Sequence, residues 1–203
     1  MKEARYFYVP NATEHNELPT DEAIHAIRVL RLKIGDDIFL IDGKGTFYEA
    51  VVTLANSKHC LYKITQTLVQ NKTWKGHIHL AIAPTKDISR IEWLVEKATE
   101  IGFDEISFLN CQFSERKNLR IDRIERIVIS AMKQSRKAWK PIVNNMLSFE
   151  DFMQKEVTGQ KFICHCYNEI EKTDFFSNIN NSGPINTVMS SNRPELFILE
   201  KKS

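Results

Sequence analysis

The stretch from Gly76 to Asn110 constrains the fold most, because it reads strand, helix, strand with the punctuation each element needs. Gly76–Ala83 (Gly-His-Ile-His-Leu-Ala-Ile-Ala) alternates and then turns wholly apolar, as a strand entering a buried sheet does. Pro84 ends it. Asp87 is placed to cap a helix, along which Ile88, Ile91, Leu94, Val95, Ala98 and Ile101 recur at helical spacing until Gly102 supplies a left-handed stop. Glu105–Asn110 follows as a second short strand. That order predicts a parallel pair joined by a right-handed crossover, and ligands of open α/β sheets sit beyond the carboxyl ends of the strands. Here those ends are Thr85-Lys86 and Cys111 to Arg116. Glu92, Glu96 and Glu100 form an acidic stripe that reads as a solvated helix face and receives no catalytic role.

The next helical pattern, Arg120 to Trp139, sets Ile121, Ile124, Ile127, Val128, Ala131 and Met132 against Arg123, Arg126, Lys133 and Lys137. A basic amphipathic helix of this kind is often an ordinary solvated face. Lys86, Arg116, Lys117, Arg120 and Arg136 add positive charge near the strand ends, which favours a nucleic-acid surface.

Composition narrows the classes. With 203 residues, 42% hydrophobic and 27% charged, the chain has room for one large domain or two small ones and resembles soluble globular proteins. Its net charge is only +2, so affinity for nucleic acid has to come from local clustering. Cys60, Cys111, Cys164 and Cys166 have no CxxC spacing and are too scattered for a disulfide framework, so a reducing cytoplasm is the expected setting. In Cys164-His165-Cys166 no further ligand pair lies nearby, and no metal is assigned. The start, Met-Lys-Glu-Ala-Arg, has no apolar signal region and no run approaches the length of a membrane span, so neither secretion by that route nor membrane insertion is expected.

Before this core, Arg5–Val9 reads as a strand stopped by Pro10, and Thr20 or Asp21 is positioned to cap a helix with Ala23, Ile24, Ile27 and Leu30 inside. His25, Arg28 and Arg31, spaced by three, lie along one helix edge and are candidate phosphate or base contacts. Asp37–Ile41, a Gly43-Lys44-Gly45 turn, Thr46–Leu54 and His59–Leu68 give three strands with hairpin punctuation, which together suggest a small barrel. Val69–Lys75 is short and polar, and the domain boundary is placed there, giving domains of residues 1–70 and 75–203. After the core, Phe149–Lys155 reads as a short helix, Lys161–Tyr167 and Pro184–Met189 as strands, and Asn178–Asn186 as a polar surface loop.

The order of these patterns resembles the RsmE family of SPOUT-class 16S rRNA (uridine-N3) methyltransferases. The residues that carry the likeness are the Tyr6-Phe7-Tyr8 strand, His25-x-x-Arg28-Val29-Leu30-Arg31, Gly35-Asp36, Asp42-Gly43-x-Gly45, Thr85-Lys86-Asp87, Glu96 to Gly102, Ser114-Glu115-Arg116 and Lys133-Gln134-Ser135-Arg136 with Pro141. The resemblance implies an α/β fold with an N-terminal PUA-like β-barrel domain and a SPOUT-type trefoil-knot methyltransferase domain. It also implies S-adenosylmethionine as cofactor, 16S rRNA of the small ribosomal subunit as partner, a cytoplasmic homodimer, and methyl transfer to N3 of a uridine. An arginine beside the uracil carbonyls would favour that transfer by stabilising the developing oxyanion.

Arg5, His25, Arg28 and Arg31 in the first domain and Lys86, Arg116 and Arg136 in the second are the expected RNA contacts. His165 and Cys166 are expected to line the cofactor site. The family has a glycine-rich loop after the strand matching Ile185–Met189, and later a Leu-Arg-x-Glu-Thr-Ala turn. Here Ser190-Ser191-Asn192-Arg193-Pro194 follows, with no glycine after Gly183. The sequence is therefore expected to lack the knot segment, which leaves an rRNA methyltransferase by descent, an inactive RNA-binding remnant of that family, or, as a blander third reading, a protein-binding scaffold using the same helix faces.

Overall fold

The computed structural model describes residues 4–72, 76–112, 114–155, 159–164 and 185–189. The chain divides into two compact units, Met1–Lys72 with Ile129–Lys140, and Thr73–Val128 with Pro141–Ser203.

In the first unit β1 (Tyr6–Tyr8), β2 (Asp37–Ile41), β3 (Thr46–Ala55) and β4 (Cys60–Val69) form one sheet in that order. β1 runs parallel to β2, and the other pairs are antiparallel. Strand alternation sends Phe7, Ile38, Leu40, Tyr48, Ala50, Val52 and Tyr62 into a core shared with Ala23 and Ala26. Those alanines belong to helix α1 (Thr20–Ile24) and to the π-helical turn His25–Val29 that continues it.

This helix departs from its sequence reading in two ways. Pro19, not Thr20 or Asp21, holds the N-cap position, its carbonyl accepting the Ala23 N–H at 2.8 Å with no side-chain cap. The Leu30 N–H then reaches back five residues to His25 O at 3.1 Å. Ala23 and Ala26 are fully buried and Ile27 and Leu30 pack against the core, whereas Ile24, expected inside, is 37% exposed.

The second unit is built on parallel pairing throughout its described strands: β5 (Ile78–Ile82), β6 (Glu105–Asn110), β7 (Ile142–Val143), β8 (Leu147–Ser148), β9 (Gln160–Cys164) and β10 (Ile185–Met189). Their order is β7-β6-β5-β10-β9, with β8 also on β6. The expected strand-helix-strand unit is present, with α2 (Ile88–Ile101) between β5 and β6. Asp87 Oδ1 accepts the Ser89 N–H at 3.0 Å, and Gly102 closes the helix at φ 109°. Ile91, Val95 and Ala98 are buried as expected, joined by Thr99, whereas Ile101 is 70% exposed. Helix α4 (Phe149–Gln154) is capped by Ser148 Oγ, and its Phe152 packs with Ala81, Ala83 and Leu109.

The helix expected over Arg120 to Trp139 is α3 (Ile121–Ser135), four residues shorter at its end. Arg136 turns left-handed at φ 55° and the Lys137 N–H returns to Met132 O at 3.0 Å, closing the helix as glycine usually does. The chain then pairs with the Gly43-Lys44-Gly45 turn of the first unit. The Gly45 N–H donates to Ala138 O at 3.0 Å, the Lys140 N–H to Gly43 O at 2.9 Å, and Lys44 and Trp139 face each other as an antiparallel bridge.

Gly45, at φ 101°, leaves space that the Trp139 ring occupies: a Cβ there would lie 2.3 Å from Trp139 Cζ2. Gly35 has a similar φ of 87° with nothing within 4 Å of a Cβ. Gly35→Ala is therefore expected to cost about 1 kcal/mol of backbone strain, and Gly45→Ala about 2 to 4 kcal/mol, since overpacking adds to the strain. Urea denaturation of the two variants checks this. Equal losses would show that Trp139 moves aside freely.

Candidate nucleic-acid interface

At the carboxyl end of β5 two of the expected contacts meet. Pro84 ends the strand and Thr85 Oγ1 donates to Asp87 O at 2.6 Å, turning the chain into α2. Arg116 reaches back across this turn, Nε donating to Thr85 O at 3.3 Å and Nη2 to Lys86 O at 2.8 Å. Lys86, Glu115, Arg116, Lys117 and Asn118 line an open pocket of about 300 Å³. Its wall carries three cations against one carboxylate. The nearby Asp87 carboxyl is held below the usual carboxylate range, chiefly by its bonds from Ser89, with Arg90 and Arg116 adding to the effect. The structure thus brings Lys86 and Arg116 together.

Arg136 belongs to the first unit. Its guanidinium lies 5.5 Å from the Tyr6 ring centroid, and Tyr6 stacks on Phe39 at 5.0 Å and meets Phe47 edge-on at 5.9 Å. Arg5 faces carboxylates: its Nη1 is 3.9 Å from Asp36 Oδ2, and Asp36, Asp37 and Glu49 share a cavity of about 400 Å³ with it. His25 and Arg28 sit in the π-helical turn, while Arg31 lies beyond the helix end in a left-handed conformation at φ 54°. The widened turn and the reversal at Arg31 replace the single helix edge expected from their spacing.

Cations of the basic helix are bonded to carboxylates. Arg123 Nη2 donates to Glu92 Oε2 at 2.8 Å, Arg126 Nη2 to Asp122 Oδ2 at 2.9 Å, and Lys133 Nζ to Glu22 Oε1 at 2.7 Å. Part of the acidic stripe is committed too, with Lys97 between Glu96 and Glu100 at 2.9 Å from each. The Lys133 pair is mostly buried, at 25% and 11% exposure, and is committed to the fold, whereas the exposed pairs of Arg123 and Arg126 are weak. Asn118 and Trp139 are interface candidates that the sequence reading passed over, the first a polar residue in a loop and the second assigned to a helix. His165 and Cys166, Asn178 to Pro184, and the segment from Ser190 onward lie outside the described residues. Among the described residues no three His, Cys, Asp or Glu side chains converge to hold a metal ion, and no helix is long and apolar enough to cross a membrane.

Two family models match the chain: an RNA methyltransferase PUA domain over residues 18–65 and an RNA methyltransferase domain over residues 72–191. The fold and the match define the class as an RNA methyltransferase with an N-terminal PUA-like domain and a Rossmann-like catalytic domain. The chain belongs to the RNA methyltransferase family that this domain defines, since the match takes in more than half of it. It is 31% identical over 143 residues to the ribosomal RNA small subunit methyltransferase E of Synechocystis, an alignment covering 68% of this chain and 45% of that one. The namesake from Rickettsia conorii is 25% identical over 76% of this chain and 64% of its own length, so the chain spans less of these curated relatives than they span of it. Among solved structures, a probable rRNA-methyltransferase from Porphyromonas gingivalis matches with TM-score 0.84 and 34% identity over 93% of this chain and 80% of that one. The small subunit methyltransferase E of Neisseria gonorrhoeae, bound to S-adenosyl methionine, shares the fold at TM-score 0.77 and 24% identity, over 92% and 78% of the two chains.

At the opposite, amino-terminal edge of the parallel sheet lies a polar cluster that the alternation of His77 and His79 hints at but does not define. His77 Nε2 donates to Glu105 Oε2 at 2.9 Å, Asn144 Nδ2 donates to Glu105 Oε1 at 2.6 Å, and His79 Nε2 lies 2.9 Å from Ser107 Oγ. Burial pushes the Glu105 carboxyl up, but the bonds from Asn144 and His77 and the charges of the two histidines outweigh it and hold the group below its ordinary value. A depressed carboxyl stabilises the fold above its unfolded pKa, about 4.3, and that contribution is lost as pH falls through the folded value. The stability gap between wild type and Glu105→Gln is therefore expected at neutral pH and should close in acid. Urea denaturation across the acidic range reads it; a gap independent of pH would exclude the carboxylate charge as its source.

Proposed function

We propose that this protein is an rRNA methyltransferase acting with S-adenosylmethionine on N3 of a uridine in 16S rRNA, as a cytoplasmic homodimer. Residues 1–70 would serve as the RNA-binding domain and residues 75–203 as the methyltransferase domain. The observation that carries the RNA reading is Arg116, fixed on the Thr85 and Lys86 carbonyls beside Lys86 and Lys117. A guanidinium oriented before the ligand arrives has less freedom to lose on binding a phosphate than a mobile ammonium, and its planar fork suits phosphate oxygens. Lys86 and Lys117 add charge that adapts to the strand. Arg5, His25, Arg28, Arg31 and Arg136 are the corresponding candidates in the first domain.

S-adenosylmethionine enters this reading through the relative that holds it. Toward this cofactor the sequence departs from the family's pattern: Ser190-Ser191-Asn192-Arg193 stands where the family has glycines, and residues with side chains do not let backbone amides approach a ligand as glycines do. That misfit favours a second reading for this polypeptide, RNA binding without methyl transfer. His165 and Cys166 are kept as proposed lining residues of the cofactor site.

Affinity for a 16S rRNA fragment, measured against salt, tests the interface. Arg116→Ala is expected to flatten the slope of log K by roughly 0.7 to 0.9, the loss of one phosphate contact. An unchanged slope would remove Arg116 from the interface. Radiolabelled methyl transfer to undermethylated small subunits separates the two readings: label at uridine N3 establishes the enzyme, and binding without label establishes the remnant.

Arg31→Gly adds a control, because glycine relieves a left-handed strain of about 1 to 2 kcal/mol. Stability is expected to hold or rise while RNA affinity falls. Affinity unchanged in a stabilised variant would show that Arg31 has no part in binding.

A further inference from the structure

Trp139 lies beyond the end of α3, yet it is held like a core residue. Its indole N–H donates to Gln70 O at 3.1 Å, its ring rests on Gly45, and its backbone is bridged to Lys44. It nevertheless remains 41% exposed. With the single indole donor already used inside the fold, what Trp139 presents is π surface, which recognises flat rings and cations and not hydrogen-bond acceptors.

The sequence around it is basic. Trp139 sits in the run Arg136-Lys137-Ala138-Trp139-Lys140, which contains no carboxylate. Lys44 stands opposite it across the bridge, and Lys72 Nζ lies over its ring, 5.2 Å from the centroid, a cation–π contact that a stacking base would displace. The carboxylate of the adjoining turn, Asp42, is buried and held by the Lys44 and Thr46 amides at 2.7 and 3.0 Å. A fixed aromatic ring among cations suits a strand that carries phosphates and open base faces together. A duplex keeps its base faces stacked away from such a ring.

We propose that Trp139 is a base-stacking platform for unpaired RNA, with phosphates of the same strand on Lys44, Lys72 and Arg136. This rests on the RNA reading above and adds that the first unit takes single-stranded nucleotides through a residue that lies well beyond its sheet strands in sequence.

The full chain carrying Trp74→Phe and Trp93→Phe keeps Trp139 as its single indole. Short oligouridylate is expected to quench its emission. Inorganic polyphosphate and an RNA duplex, which bring charge without open bases, are expected to leave it unchanged. Trp139→Ala should weaken oligouridylate binding about ten- to a hundred-fold, with Trp139→Phe recovering most of it. The quenching experiment leaves Trp139 in place and so decides even where Trp139→Ala fails to fold. Equal quenching by polyphosphate, or wild-type affinity in folded Trp139→Ala, overturns the platform. RNA binding as such is read separately by the salt slope of Arg116→Ala, so a failed platform with an intact slope change leaves the broader reading standing. A chain that binds no RNA overturns both.

Discussion

The parallel ladder centred on β5 is the constraint from which much of the second unit follows. β5 pairs with β6 on one side and β10 on the other, so its position is fixed by backbone bonds along both edges. Because the strand ends before Pro84, the carbonyls of Thr85 and Lys86 are released from the ladder and become acceptors for Arg116. The same register places His79 opposite Glu105 at the other end, where His77, Asn144 and Ser107 complete a polar cluster. One ladder thus sets a cation-lined turn at one edge and a satisfied polar network at the other, in keeping with ligands gathering at the carboxyl ends of parallel strands.

Charge in this protein is placed more selectively than its sequence suggests. The helix α3 looks like a continuous basic face, but Arg123, Arg126 and Lys133 are each bonded to a carboxylate. Lys133 and Glu22 join residues far apart in the chain within the first unit, a use of charge that holds a segment in place. The pocket around Arg116 instead gathers Lys86, Arg116 and Lys117 against the single carboxylate of Glu115. Two arginines, Arg31 and Arg136, occupy left-handed positions that glycine would take without strain. Retaining a long cationic side chain at such a site is consistent with a role outside the fold itself.

The Gly45 and Trp139 pair shows how the first unit acquires a residue that its own strands do not supply. Glycine at the turn leaves the volume, the indole fills it, and backbone bonds on either side make the pairing specific. The segment that delivers Trp139 exists because α3 stops at Ser135. A helix running on to Trp139 would have left no strand-like stretch to pair with the turn.

Much of the architecture was legible in the sequence, since strand alternation, helical spacing, the Asp87 cap and the Gly102 stop are local signals that tertiary packing did not override. The ordered motifs Thr85-Lys86-Asp87 and Ser114-Glu115-Arg116 likewise pointed to the family and to the residues that meet at the β5 turn. Other features had no local signature. The π-helical turn at His25–Val29, the exposure of Ile24, and the left-handed Arg136 that ends α3 early contradict what spacing and residue type predict. The insertion of β10 between β5 and β9, the ion pair of Lys133 with Glu22, and the seating of Trp139 on Gly45 join residues distant in the chain. Periodicity reports which face of an element is apolar; which partner covers that face, and which charges remain for a ligand, is decided only when the chain has packed.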